Sequence, residues 1–208
     1  MYLYVDTTFG TVLGFLNQHL DWLDYYENHD QKNVSLLHYD IERLCKKNHI
    51  KINQFKGFIF CAGPGGYTGL RVSDGISQTF SWFGFETYSF YHFELLTILG
   101  IKNGIWLSNA FKGEFFCFNQ EESKHTLIKE SDYFIKNIDN KFYTHYFNAF
   151  SPTSRNKFSI DKVTETSQLL KSNPSTIFKQ IISQKWKKEL FYYRSIDQEF
   201  TKPVSPKI

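Results

Sequence analysis

Apolar and polar positions first alternate along the chain in short runs, and Tyr2–Val5, Thr11–Leu16 and Trp22–Tyr26 read as three strands joined by short polar turns, a meander. A helical period follows over Asn33–Lys47, with Val34, Leu37, Ile41 and Leu44 on one inward stripe. The apolar, β-favouring run Gly57–Ala62 then leads through a glycine-rich turn into a second helix over Thr68–Phe83. Thr68 is its expected cap, and Val72, Ile76, Phe80 and Phe83 its expected buried stripe. A strand near Thr87–Phe90 completes a βββαβα plan with one further strand. A weaker helix at Phe93–Leu99 leads into strands at Ile105–Leu107 and Phe115–Phe118. These divide the chain into a first lobe over residues 1–103 and a smaller, divergent second lobe over 104–208. Thr164–Ile182 reads as a helix interrupted near Pro174, and Pro203–Ile208 as a frayed end. No internal repeat or low-complexity tract stands out.

The glycine turn carries the densest local signal: Gly63, Pro64, Gly65, Gly66, Tyr67, Thr68, Gly69, Leu70 and Arg71 join a strand directly to a helix start. Free N–H groups at such a start attract anions. Yet no Lys-Ser or Lys-Thr closes a phosphate loop, and Thr68 stands where a dinucleotide fingerprint needs its third glycine. A tight turn with an exposed arginine accounts for the same residues. Arg71 sits at the positive end of the helix dipole and calls for a partner such as a carboxylate.

Composition narrows the chemistry further. The 208 residues can bury one good core or two small ones, and 22 Phe and 13 Tyr exceed what any stacking site would use, so most belong to core or interface. A net charge of +3, with acids and bases interspersed, permits nucleic-acid contact without arguing for it. Lys185, Lys187 and Lys188 form one modest basic cluster, which suits a solvated helix face as well as a nucleic-acid phosphate. Three scattered cysteines, Cys45, Cys61 and Cys117, indicate neither a disulfide framework nor a zinc site. With no signal-peptide pattern and no apolar run of membrane-spanning length, the expectation is a soluble cytoplasmic protein without membrane contact. No two of the seven histidines are four apart, so no helix presents a His-x-x-x-His pair. Neither metallopeptidase nor serine-hydrolase motifs occur. No catalytic residue and no bound metal are therefore expected.

The segment from Gly63 to Arg71, followed by Gly75-Ile76-Ser77-Gln78, resembles the Gly-Pro-Gly-Ser-Phe-Thr-Gly-Leu-Arg and Gly-Ile-Ala-Gln hallmark of the TsaB (YeaZ) family, with Gly66-Tyr67 in place of Ser-Phe. Tyr4-Val5-Asp6-Thr7-Thr8 is similar to the family's opening strand, Leu36-Leu37 fall in its first helix, and Gly113-Glu114-Phe115-Phe116 is similar to its Gly-Glu-Val-Tyr. The likeness covers roughly residues 1–120, and Asn109-Ala110-Phe111 replace the family's Asp-Ala-Arg. It implies an α/β fold, a ribonuclease-H-like lobe of the actin-like ATPase type followed by the smaller lobe. It also implies a non-catalytic subunit that supports TsaD in attaching threonylcarbamoyl to the adenosine beside the anticodon of tRNA. The implied partners are TsaD, TsaE and, as the exclusive alternative to TsaD, a second copy. ATP and magnesium would serve the assembled complex, not this chain alone. Asp6 matches the acid that places a magnesium-bound phosphate in actin-like ATPases, although a turn acid capping Thr8 or Gly10 explains it too. Leu36, Tyr39 and Leu70 lie off the expected inward stripes, and Ser73, Gly75 and Ser77 are small enough to admit a neighbouring helix. These six are the expected partner interface. A small actin-like kinase or ATPase is the alternative, and a peptidase a more distant one.

Overall fold

The structure, a computed structural model, describes residues 1–29, 36–110, 113–136 and 141–193. Val34, the start of the first expected helix, and the Pro203–Ile208 end lie outside them. The meander is present as β1 (Tyr2–Asp6), β2 (Thr11–Leu16) and β3 (Trp22–Asn28). It is followed by α1 (Leu37–Lys47), β4 (Gly57–Cys61), α2 (Tyr67–Trp82), β5 (Glu86–Phe90) and α3 (Glu94–Ile98). These five strands form one sheet in the order β3-β2-β1-β4-β5, antiparallel across the meander and parallel from β1 through β4 to β5. That order and those directions define a ribonuclease-H-like lobe.

Both faces of this sheet are covered, which explains why β2 is buried along its whole length and reads as continuously apolar. Leu3, Val5, Leu13, Phe15, Phe58 and Phe60 face α1 and α2. Successive residues alternate sides, so Tyr4, Val12, Leu16, Ile59 and Phe90 face the other way. Each such fully buried side chain contributes roughly 1.5–3 kcal/mol.

The second sheet contains β6 (Ile105–Asn109), β7 (Glu114–Asn119), β8 (Lys124–Lys129), β9 (Phe142–Thr144) and β10 (Val163–Glu165). Its order is β10-β9-β6-β7-β8, with β6 antiparallel to β7, β7 antiparallel to β8, and β6, β9 and β10 mutually parallel. Read from β8, this repeats the plan of the first sheet, a structural duplication that the sequence conceals. The two lobes together make the actin-like architecture. Short helices α4 (Glu130–Lys136) and α5 (Pro152–Arg155) belong to the second lobe. The interruption expected near Pro174 separates α6 (Thr166–Ser172) from α7 (Pro174–Ser183). Leu170, Ile177, Phe178 and Ile181 of these helices pack under the first sheet, so the chain returns to the first lobe after building the second. A boundary at residue 103 separates the sheets but not the cores. Among the described residues, no helix is long and apolar enough to cross a membrane.

The structure corrects the expected orientation of α2. Its buried residues are Gly69, Leu70, Ser73, Ser77 and Phe80, while Val72 and Ile76 are only partly buried and Phe83 is 77% exposed. The cause lies at the end of β1. The Thr7 hydroxyl contacts both the Gly69 carbonyl and Ser73 Oγ at 2.6 Å, so the helix sits too close for large side chains. Gly69, Ser73 and Ser77 face the sheet there, with Leu70 and, farther along, the expected Phe80 buried beside them, while Val72 and Ile76 turn partly out. Leu70, Ser73 and Ser77 are therefore core positions, not the interface expected of them; Leu36, Tyr39 and Gly75 are exposed. Nor does Thr68 cap the helix: α2 begins at Tyr67 after an extended Gly66, with no side-chain cap.

Two glycines on this helix should respond oppositely to the same change. A Cβ at Gly69 would collide with the Thr7 carbonyl, whereas one at Gly75 meets nothing within 4 Å. Gly75→Ala should raise stability by up to about 1 kcal/mol through helix propensity. Gly69→Ala should lose about 2 kcal/mol, because overpacking outweighs that gain. Denaturant unfolding of both variants checks the signs; a stable Gly69→Ala variant would refute the close approach.

Candidate functional site

The two sheets point the C-terminal ends of their parallel strands into one cleft, the usual place for chemistry in such folds. Asp6 is the last residue of β1, His92 follows β5, and His145 follows β9. The fold brings these three together: Asp6 Oδ2 lies 2.9 Å from His92 Nε2 and 3.1 Å from His145 Nε2. All three are nearly inaccessible, at 1%, 0% and 7% exposure. The two imidazoles are in contact, with ring centres 3.5 Å apart and planes tilted by 30°.

Local structure fixes each member. The Thr8 amide and hydroxyl donate to Asp6 Oδ1 at 2.8 and 2.7 Å, which bears out the turn-acid reading for Thr8. His92 donates its amide to the Gly63 carbonyl at 3.0 Å, so the glycine turn holds it. His145 follows Thr144, whose carbonyl accepts from Thr166 Oγ1, and that hydroxyl also lies 3.3 Å from Trp106 Nε1.

Charge follows from burial. Desolvation opposes ionisation of Asp6, but the attraction of the two imidazoles holds its carboxyl well below the usual range. Burial, reinforced by His92, pushes the His145 pKa down to about 4 against the pull of Asp6, so its ring is neutral at pH 7. Both nitrogens of His145 lack a hydrogen bond. An i,i+4 search could not find this cluster, because its two histidines come from different lobes. The only sequence signal was Asp6 itself.

The open part of the cleft encloses about 470 Å³ and is lined by Thr7, Thr8, Pro64, Tyr67, Thr68, Ser108, Asn109 and His145, among others. Of the glycine-turn residues, Gly63, Pro64, Gly65, Gly69 and Leu70 are buried, while Gly66, Thr68 and Arg71 are exposed. A Cβ at Gly63 would meet the Phe191 carbonyl, and one at Gly65 the Thr8 side chain. Close packing therefore accounts for these glycines. The Arg71 guanidinium lies 5.3 Å from the centre of the Tyr67 ring, an aromatic partner in place of the expected carboxylate. In the basic cluster, Lys188 is paired with Glu94 at 2.6 Å, and Lys185 and Lys187 are exposed.

The arrangement is not a nucleophile and base. His92 Nε2 meets both Asp6 Oδ2 and Thr8 Oγ1, at 2.9 and 3.1 Å, so one nitrogen would have to serve acid and nucleophile alike. The Thr8 hydroxyl proton already points to Asp6 Oδ1. The three cysteines are free and buried, with Cys117 pushed up to about 12 by burial.

YeaZ from Pseudomonas aeruginosa superposes at a TM-score of 0.51 with 14% identity, covering 69% of this chain and 74% of that one. The chain has a YeaZ-like fold. A crystal structure described as an uncharacterized protein with similarity to peptidase YEAZ from Pseudomonas aeruginosa gives a TM-score of 0.49 at 15% identity, over 69% of this chain and 74% of that one. The ethanolamine utilization protein EutJ from Carboxydothermus hydrogenoformans gives 0.35 at 16% identity, over 61% and 51%. No family model and no curated protein matches the sequence.

Removing the carboxylate leaves buried imidazoles and the Thr8 amide facing no acceptor. Asp6→Ala should therefore cost roughly 3 kcal/mol, or about 6–12 °C in Tm, and Asp6→Asn less because it keeps an acceptor for Thr8. Thermal unfolding by circular dichroism tests this; an unchanged Tm for Asp6→Ala would remove the cluster's structural role.

Proposed function

We propose that this chain is a non-catalytic subunit that supports a TsaD-type protein in forming threonylcarbamoyladenosine on tRNA. The carrying observation is the combination of a YeaZ-like fold with the Gly63–Arg71 segment, which makes the turn after β4 and the first residues of α2. On this reading TsaE, ATP and magnesium act on the assembled cytoplasmic complex, and tRNA reaches the chain only within it.

The duplication of the two lobes weighs against the kinase or ATPase alternative. Asp6 ends the first strand of lobe one, and Asn109 ends the first strand of lobe two, so the second lobe offers an amide where a paired acid would help hold magnesium. The peptidase alternative has no free base beside a nucleophile among the described residues.

Association then becomes the main task of the surface. Gly75, Thr79, Trp82 and Phe83 recur on the outer face of α2, where Trp82 is 82% and Phe83 77% exposed. Leu36 and Tyr39, at the start of α1, are 48% and 56% exposed. These residues replace Leu70, Ser73 and Ser77 as the contact set, for TsaD or for a second copy in turn.

Gly75→Arg places a long cation on that exposed face, at a position where a Cβ meets nothing within 4 Å. It should keep the fold and reduce TsaD-dependent tRNA modification at least about tenfold, through a loss of roughly 1.4 kcal/mol or more in partner binding. Lys187→Ala should leave complex formation intact. Reconstitution with the cognate TsaD, TsaE, ATP and tRNA decides. Failure of the unaltered chain to stimulate modification overturns the function, and full activity of a folded Gly75→Arg variant overturns the surface.

A further inference from the structure

We propose that Asp6, His92 and His145 form a binding site for one divalent first-row transition-metal cation, held across the two lobes with its free coordination positions open to the cleft. Geometry carries the proposal. Two donor atoms each about 2.1 Å from a metal lie about 3.0 Å apart at a right angle and about 3.4 Å apart at the tetrahedral angle. The 2.9 and 3.1 Å from Asp6 Oδ2 to the two Nε2 atoms match that right-angled spacing along two of the three donor pairs. One donor atom from each of the three residues lies within 4.8 Å of the other two. Two imidazoles and a carboxylate, with positions left over, is a donor set suited to ferrous iron and its neighbours.

His145 supplies the independent observation. It is buried, its Nε2 is 3.1 Å from a carboxylate oxygen, and neither ring nitrogen makes a hydrogen bond. A buried polar group without a partner is costly, and a cation between Nε2 and Asp6 would satisfy it. His145 also lines the cleft, which gives the cation an entry path and room for water or an oxygen ligand. Because Asp6 and His92 belong to the first lobe and His145 to the second, the bound cation would pin the lobes together.

The test uses the full chain freed of any affinity tag, stripped with chelator and titrated with Co²⁺ alone. One equivalent should bind with the weak visible bands of five- or six-coordinate cobalt, raise Tm, and shift the ring protons of two buried histidines in proton NMR. His145→Gln should weaken binding at least about 100-fold, beyond what loss of an outer-sphere contact produces. The exposed His19→Gln should bind as the unaltered chain does. Substoichiometric binding, unperturbed buried histidine resonances, or undiminished affinity in His145→Gln overturns the site, and intense tetrahedral cobalt bands overturn its geometry. Should His145→Gln not fold, the stoichiometry and histidine resonances of the unaltered chain decide alone. No partner protein or tRNA enters the measurement, so its failure leaves the proposed subunit role standing.

Discussion

A single carboxylate buried at the meeting point of two lobes constrains much of this molecule. An ionised acid at 1% exposure is expensive unless every side of it is answered, and Asp6 is answered by the Thr8 amide and hydroxyl on one oxygen and by two imidazoles near the other. One of those imidazoles comes from the second lobe, so the surroundings of the buried carboxylate are complete only when both lobes are folded and docked. Docking of the lobes and burial of this acid are in this sense one requirement.

The glycine segment is the mechanical counterpart of that requirement. Thr7, next to Asp6, bonds the Gly69 carbonyl and touches Ser73 Oγ; Gly65 lets Thr8 approach; and the Gly63 carbonyl receives the His92 amide. One short stretch thus positions the flanks of two of the three cluster residues. Beyond it, Gly65 pairs with Tyr192 and Ala62 with Phe191, so residues 191 and 192 also rest on the same turn. Phosphate binding is not needed to explain why so many glycines stand here.

How much of this was legible in the sequence depends on where the determining contacts lie. β1, β2 and β4 announce themselves because strands buried on both faces are uninterrupted apolar runs, and Pro174 marks the break between α6 and α7 because it cannot continue the preceding helix. The face of α2 was misread for a physical reason. Apolar periodicity assumes that large side chains point inward, and close approach at Thr7 instead selects Gly69, Ser73 and Ser77. The second lobe's duplicated topology stayed hidden because pairing order is a non-local property, and β9 and β10 are only three residues each.

The site was the least legible part, and the duplication explains why. In an architecture built twice, residues at the ends of equivalent strands converge although they are far apart in the chain, so a search by local spacing meets only half of any interlobe cluster. Asp6 was noticed because it ends an obvious strand; His145 follows a three-residue strand that periodicity cannot register. The equivalent of Asp6 in the second lobe is Asn109, an amide without charge at the far side of the same cleft. The negative charge of the strand ends is therefore concentrated on one lobe and countered by histidine instead of being shared between two acids. That asymmetry disfavours a magnesium-bound phosphate clamped between paired carboxylates.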